Sequence, residues 1–129
     1  MFSLIHAGRA LEDRVEGALA GAELSLAKFG VLSELANARS PLPLSELAAR
    51  LSCVRSNMTQ LVDRLEADGL VKRVSDSDDR RVVRAAITPL GTERHAIGAR
   101  ELERVQGEFS AALSATDRDA LEKAVSDLG

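Results

Sequence analysis

At Gly69 the hydrophobic period of the chain changes, and that change limits the folds open to it more than any other feature. Upstream, Met58, Leu61, Val62 and Leu65 recur at i, i+3, i+4 and i+7, the stripe of an amphipathic helix. Downstream, "LVKRV" and "VVRAAIT" are rich in β-branched residues and read as two strands. Between them lie the seven residues "SDSDDRR", longer than the ~2–5 of a tight hairpin. Gly69 suits the C′ position that ends the helix.

Three further helical patterns precede this switch. Leu4, Leu11, Val15 and Ala18 mark a helix over residues 2 to 20, ended by Gly21. Ser25 is placed to cap a second, with Phe29, Leu32, Leu35 and Ala36 inward, until "NARSPLP" breaks it. Leu44, Leu47, Ala48 and Leu51 line a short third helix, and the turn "SCV" leads into the fourth. After the strands, a long helix is expected from about Thr92 to Leu113, with Leu102, Val105, Phe109 and Leu113 as its stripe. A last helix opens at Thr116 or Asp117 and turns Leu121, Ala124, Val125 and Leu128 inward.

Helices, a short inter-helical turn, then two strands and more helices describe a winged helix-turn-helix in a helical frame. The expected fold class is mainly α with a small β-hairpin wing. At 129 residues the chain reads as a single domain, with a winged lobe over 25–90 framed by helices in 1–22 and 92–129.

Composition narrows the function. No apolar run approaches ~18 residues, so no membrane span is expected, and the N-terminus lacks a secretory pattern, which points to a cytoplasmic protein. One cysteine and two well-separated histidines, His6 and His95, offer no metal site, and no cofactor is expected. Acidic residues fall mainly on outer helix faces rather than in catalytic pairs, which argues against an enzyme. Without Trp or Tyr there is no stacking platform for single strands. The net charge of −3 hides an asymmetry: residues 50 to 84 hold eight Lys/Arg against six acids.

That basic segment contains the candidate site. With 58, 61, 62 and 65 facing the core, the opposite face of the fourth helix carries Ser56, Gln60 and Asp63, flanked by Asn57, Thr59 and Arg64. Gln or Asn can pair with adenine, Arg with guanine, and a Thr methyl can touch thymine in the major groove. Arg55, at the helix start, suits a phosphate. An ordinary solvated face has the same polarity; the charged loop downstream favours the groove. There, Arg81 can reach a narrow minor groove, and Asp79, two residues earlier, can hold its guanidinium by a fork of hydrogen bonds. Arg80 and Arg84 are secondary candidates for phosphate contacts. A winged helix used only for protein contacts remains the alternative.

The run "LSELAARL…VRSNMTQLVDRLEADGLVKRV…DDRRVVRAAITPLG" strongly resembles the MarR family of winged-helix regulators. The resemblance rests on "LVDRLEADGLV", on "DRR" with Ile87 seven residues after Arg80, and on "TPLG" opening the long helix. It implies a homodimer built from the first helix and the last two, with Leu4, Leu11, Val15, Phe109, Leu113, Leu121, Val125 and Leu128 at the interface. It implies double-stranded DNA as partner, with Ser56, Asn57, Thr59, Gln60 and Arg64 as recognition positions and Asp79 and Arg81 as the wing pair. A repressor released by a small aromatic or anionic effector is implied too, with His6 near the expected ligand region; His95 is expected to be solvated.

The chain departs from the family at Val54, where many relatives place a capping Ser, Thr or Asp; Ser52 is the substitute cap expected here. The first helix has no cysteine and the chain no tyrosine, so the peroxide-sensing arrangement does not transfer. Cys53 reads either as a small apolar residue between Leu51 and Met58 or as a thiol whose modification shifts the recognition helix, a thiol-responsive regulator.

Overall fold

Ser25 takes extended backbone angles and its Oγ accepts a hydrogen bond from the Lys28 amide at 3.2 Å, which starts the central helix of the molecule. In the computed structural model, which describes residues 2–76, 78–112 and 115–128, the elements follow the expected order. They are α1 (Phe2–Gly21), α2 (Leu26–Ala38), β1 (Leu42–Pro43), α3 (Leu44–Arg50), α4 (Arg55–Ala67), β2 (Val71–Ser75), β3 (Val83–Ile87), α5 (Pro89–Ala112) and α6 (Ala115–Leu128). A mainly helical chain with a small β wing is what the periodicities predicted.

The core lies where α2, α3 and α4 meet the sheet. Leu32, Leu35, Leu47, Met58, Val62, Leu65, Leu70 and Val71 are among its largest enclosed side chains, and no polar residue among those described is buried with them. Met58, Val62 and Leu65 are buried and Leu61 half-buried, as the spacing required. Gly69 has a φ of +77°, the left-handed conformation that costs glycine least, so α4 can stop and the chain can enter β2 within two residues.

Two elements differ from expectation. β1 was not visible in the sequence: two residues, one a proline, carry no periodicity, and they form a strand only because Leu42 meets Ala85 and Pro43 meets Arg84 on β3. The sheet order is β1-β3-β2, which leaves β2 at an edge. The second difference is α5, which begins at Pro89 rather than near Thr92. Proline is well tolerated at the first helical position, where its missing N–H would have no partner. Thr88 supplies the cap: its Oγ1 accepts from the Gly91 amide at 3.0 Å and donates to the Gly69 carbonyl at 2.7 Å.

That joint explains "TPLG". A Cβ on Gly91 would stand 2.1 Å from the Leu70 carbonyl oxygen, which itself accepts from the Thr88 amide at 3.0 Å. Backbone on both sides leaves nothing to move aside. Gly91→Ala is therefore expected to cost ~1–3 kcal/mol or more and to lower the thermal midpoint by roughly 3–15 °C, scaling from small domains. A calorimetric scan showing no shift would mean the joint yields more easily than this geometry allows.

Helix α1 packs along α5, with Arg14 paired to Glu108 and Arg94 Nη1 2.5 Å from the Glu23 carboxylate. At Gly98 the absent Cβ lets the Phe29 ring and Leu19 lie against α5. His95 is not solvated as expected. It stacks on Phe29, ring centroids 5.0 Å apart, and shares a 3.0 Å hydrogen bond between Nε2 and Ser33 Oγ. Partial burial holds its pKa below the usual histidine value. Its ring partners lie on α2, over 60 residues away in sequence, so its position in the chain could not reveal the contact.

Candidate nucleic-acid interface

The outward face of α4 carries Arg55, Ser56, Asn57, Thr59, Gln60 and Arg64, all exposed. The hydroxyl of Thr59 turns back to donate to the Arg55 carbonyl at 3.1 Å, which occupies the polar atom of this side chain. The expected cap by Ser52 is not formed. Ser52 lies in the turn with a φ of +51°, while Val54 holds the N-cap position, 66% exposed and making no side-chain cap bond. The amides of the first turn of α4 therefore face outward without a side-chain acceptor from the cap residue, the arrangement that attracts an anion.

The wing is the antiparallel pair β2 and β3, in register from Val71 opposite Ile87 to Ser75 opposite Val83. At its tip the side chain of Arg81 is 91% exposed. Asp79 holds it: Oδ1 accepts from the Arg81 amide at 3.0 Å and from Nε at 3.2 Å, and Oδ2 accepts from Nη2 at 3.4 Å. Backbone and side chain are gripped by one carboxylate, so the guanidinium is braced at the tip without being buried. Arg80 is exposed beside it.

Arg84, the other candidate for a phosphate contact, is paired within the wing. Its Nε and Nη2 donate to Asp76 Oδ2 at 3.2 and 3.0 Å, and it sits half-buried at the base of the loop. Asp76 also accepts the Asp78 amide at 2.9 Å. The Asp78 N–H bond, then Arg84, hold the Asp76 carboxyl below the usual carboxylate range. A lowered folded-state pKa means the bond's contribution is complete above the unfolded value, ~3.9, and is lost as pH falls through the lower folded value. Amide shifts of Asp78 and Asp79 should thus titrate with a midpoint below ~3.9, and Asp76→Asn should abolish that transition. A midpoint at or above the ordinary value would rule out this anchoring.

Reasoning from the sequence missed Arg73, which entered only as a unit of charge. Its backbone amide and Nη1 both donate to Glu66, each at 2.9 Å, and Nη2 reaches Asp63 at 2.5 Å. The available signal was an arginine in the middle of a strand that follows a helix bearing Asp63 and Glu66 three residues apart.

Cys53 is half-buried, its thiol 3.4 Å from the Val54 carbonyl, and it lines an open apolar groove of about 500 Å³ between α2 and the start of α4. Leu26, Gly30, Leu51, Asn57 and Leu61 are among the other residues of its wall. His6 is exposed on α1. Of the expected interface residues, Leu11, Val15 and Phe109 are half-buried and Val125, expected inward, is 61% exposed. The side chains of Leu4, Leu113, Leu121 and Leu128 lie outside the described residues. Among the described residues no group of acids, histidines and cysteine could hold a metal, and no helix is long and apolar enough to cross a membrane.

Residues 24–83, from two residues before α2 to the first residue of β3, match the model of the MarR family. Over that stretch the chain is similar to MarR-family proteins. It is 39% identical over 66 residues to the HTH-type transcriptional regulator YkoM of Bacillus subtilis, covering 51% of this chain and 42% of that one. The chain spans about half the length of the curated relatives it matches. Those relatives are named as HTH-type transcriptional regulators. The fold is similar to that of a mutant MarR from Escherichia coli crystallised with operator DNA, at a TM-score of 0.81 and 23% identity over 98% of this chain and 91% of that one. It is also similar to CouR from Rhodococcus jostii bound to p-coumaroyl-CoA, at a TM-score of 0.77 and 24% identity over 98% and 89%.

Proposed function

We propose that this chain is a MarR-family, sequence-specific double-stranded DNA-binding transcriptional regulator acting as a homodimer on an inverted repeat. Each protomer lays α4 in a major groove, where Ser56, Asn57, Thr59, Gln60 and Arg64 meet base edges, and extends Arg81 into the adjacent minor groove. Arg55 and Arg80 meet phosphates. The observation that carries the reading is the wing tip: a 91% exposed arginine braced by a carboxylate that grips both its amide and its guanidinium. A merely solvated loop has no need of that grip, whereas an inserted guanidinium gains from losing little freedom on binding.

The likeness to a MarR–operator complex supports the DNA partner. The net effect is repression, relieved by a small aromatic or anionic effector. The likeness to CouR bound to an aromatic thioester supports an effector of that kind.

Selection of random duplex DNA by the purified protein at near-physiological salt tests the reading. An enriched inverted repeat with half-site centres about one helical turn apart is expected, with affinity falling steeply as salt rises. Absence of enrichment by dimeric protein would turn the assignment toward a winged helix used for protein contacts.

A further inference from the structure

We infer that Arg73 is a positioning residue that sets the angle between the recognition helix and the wing, acting through Glu66, Asp63 and Thr59 without touching DNA. The inference rests on the DNA-reading function proposed above and adds the element that makes its two reading devices act as one.

Arg73 lies in the middle of β2, directly opposite Ala85, which is fully buried. Directly opposite residues share a face of the sheet, so Arg73 leaves the strand on the inner side and its charge needs partners there. All of them come from α4. Glu66 takes the backbone amide and Nη1, Asp63 takes Nη2, and the Thr59 carbonyl accepts from Nη2 at 3.3 Å. The amide that Glu66 captures belongs to the edge strand of the sheet, where an N–H would otherwise point to solvent.

Geometry gives these contacts their consequence. Thr59 and Glu66 are seven residues apart, ~10 Å along the helix axis. The guanidinium gathers groups from that whole span, and the strand amide adds a separate bond to Glu66, so α4 is held to β2 by more than a single contact. The start of α4 has no side-chain cap, and there the Thr59 hydroxyl carries the constraint one turn further by bonding the Arg55 carbonyl. The recognition helix is thus held from its flank by the wing strand rather than from its own N-terminus.

The same contacts argue against a direct DNA role. One guanidinium against two carboxylates leaves the cluster net negative, Arg73 is only 25% exposed, and both its Nη atoms are directed at the helix. A phosphate would find Arg55, Arg80 or Arg81 first.

Binding of the wild type, Arg73→Ala and Arg73→Lys to the enriched duplex and to a scrambled one, across a salt series, tests the inference. Arg73→Ala is expected to weaken the enriched duplex by about 10- to 100-fold while leaving the scrambled duplex and the salt slope unchanged. Arg73→Lys, a point charge that cannot fork, is expected to recover only part of the discrimination. A slope reduced by ~1 with equal loss on both duplexes would make Arg73 a phosphate contact and overturn the inference; so would unchanged discrimination, or loss of binding together with global unfolding. Hydrogen exchange supplies a readout independent of DNA. Faster exchange in residues 55–67 of Arg73→Ala, with 26–38 unchanged, upholds the clamp even if the wild type prefers no duplex, in which case the DNA reading fails. Identical exchange in both helices overturns the clamp.

Discussion

Ile5→Asp combined with Val125→Asp should leave the chain monomeric and weaken its binding to a duplex with two half-sites by about 10²- to 10⁴-fold. Ile5 on α1 and Val125 on α6 are large apolar side chains that are 52% and 61% exposed within one chain. Single exposed residues of this kind are ordinary. Here they occur on the two terminal helices that the family resemblance assigns to the dimer. The seam where α1 crosses α5 also leaves an open cleft lined by Ala10, Leu11, Val105 and Phe109. Aspartate at both sites would place desolvated charge in an apolar contact, a cost the interface cannot offset. Each α4 would keep its half-site contacts and lose only the linkage between them. Sedimentation would report the monomer, and binding to a single half-site should change little. A double variant that remains dimeric at micromolar concentration would move the interface elsewhere.

Arg81→Ala should cost ~1–3 kcal/mol per half-site, concentrated at A·T pairs flanking the core contacts. The narrow minor groove of A·T-rich DNA has a strongly negative potential, and an extended guanidinium gains from that focusing. Arg81→Lys should recover less than its charge would imply, because the Asp79 fork to Nε and Nη2 has no ammonium equivalent. Affinities for duplexes with A·T replaced by G·C at the flanks would check this. Uniform loss on every duplex would reduce Arg81 to a phosphate contact.

Much of this architecture could be read residue by residue. The Ser25 cap, the Met58–Leu65 stripe, the positive φ of Gly69 and the two strands of the wing depend on residues within a few positions of one another. Propensity, capping and period act over that range. The start of α5 was misplaced because Pro89 reads as a breaker until Thr88 is seen to cap the turn. The Arg84 pairing was hidden for a related reason: its partner Asp76 lies across the hairpin, and only the strand register brings the two together.

From its sequence alone the chain determined a winged helix-turn-helix, the residues on the outer face of α4, and the Asp79–Arg81 pair, because each follows from local spacing. The tertiary structure decided β1, the His95 stack on Phe29, the close fit of Gly91 against Leu70 and the Arg73 clamp on α4. Their partners come from different elements, and which side chains meet there depends on how elements pack rather than on any period along the chain.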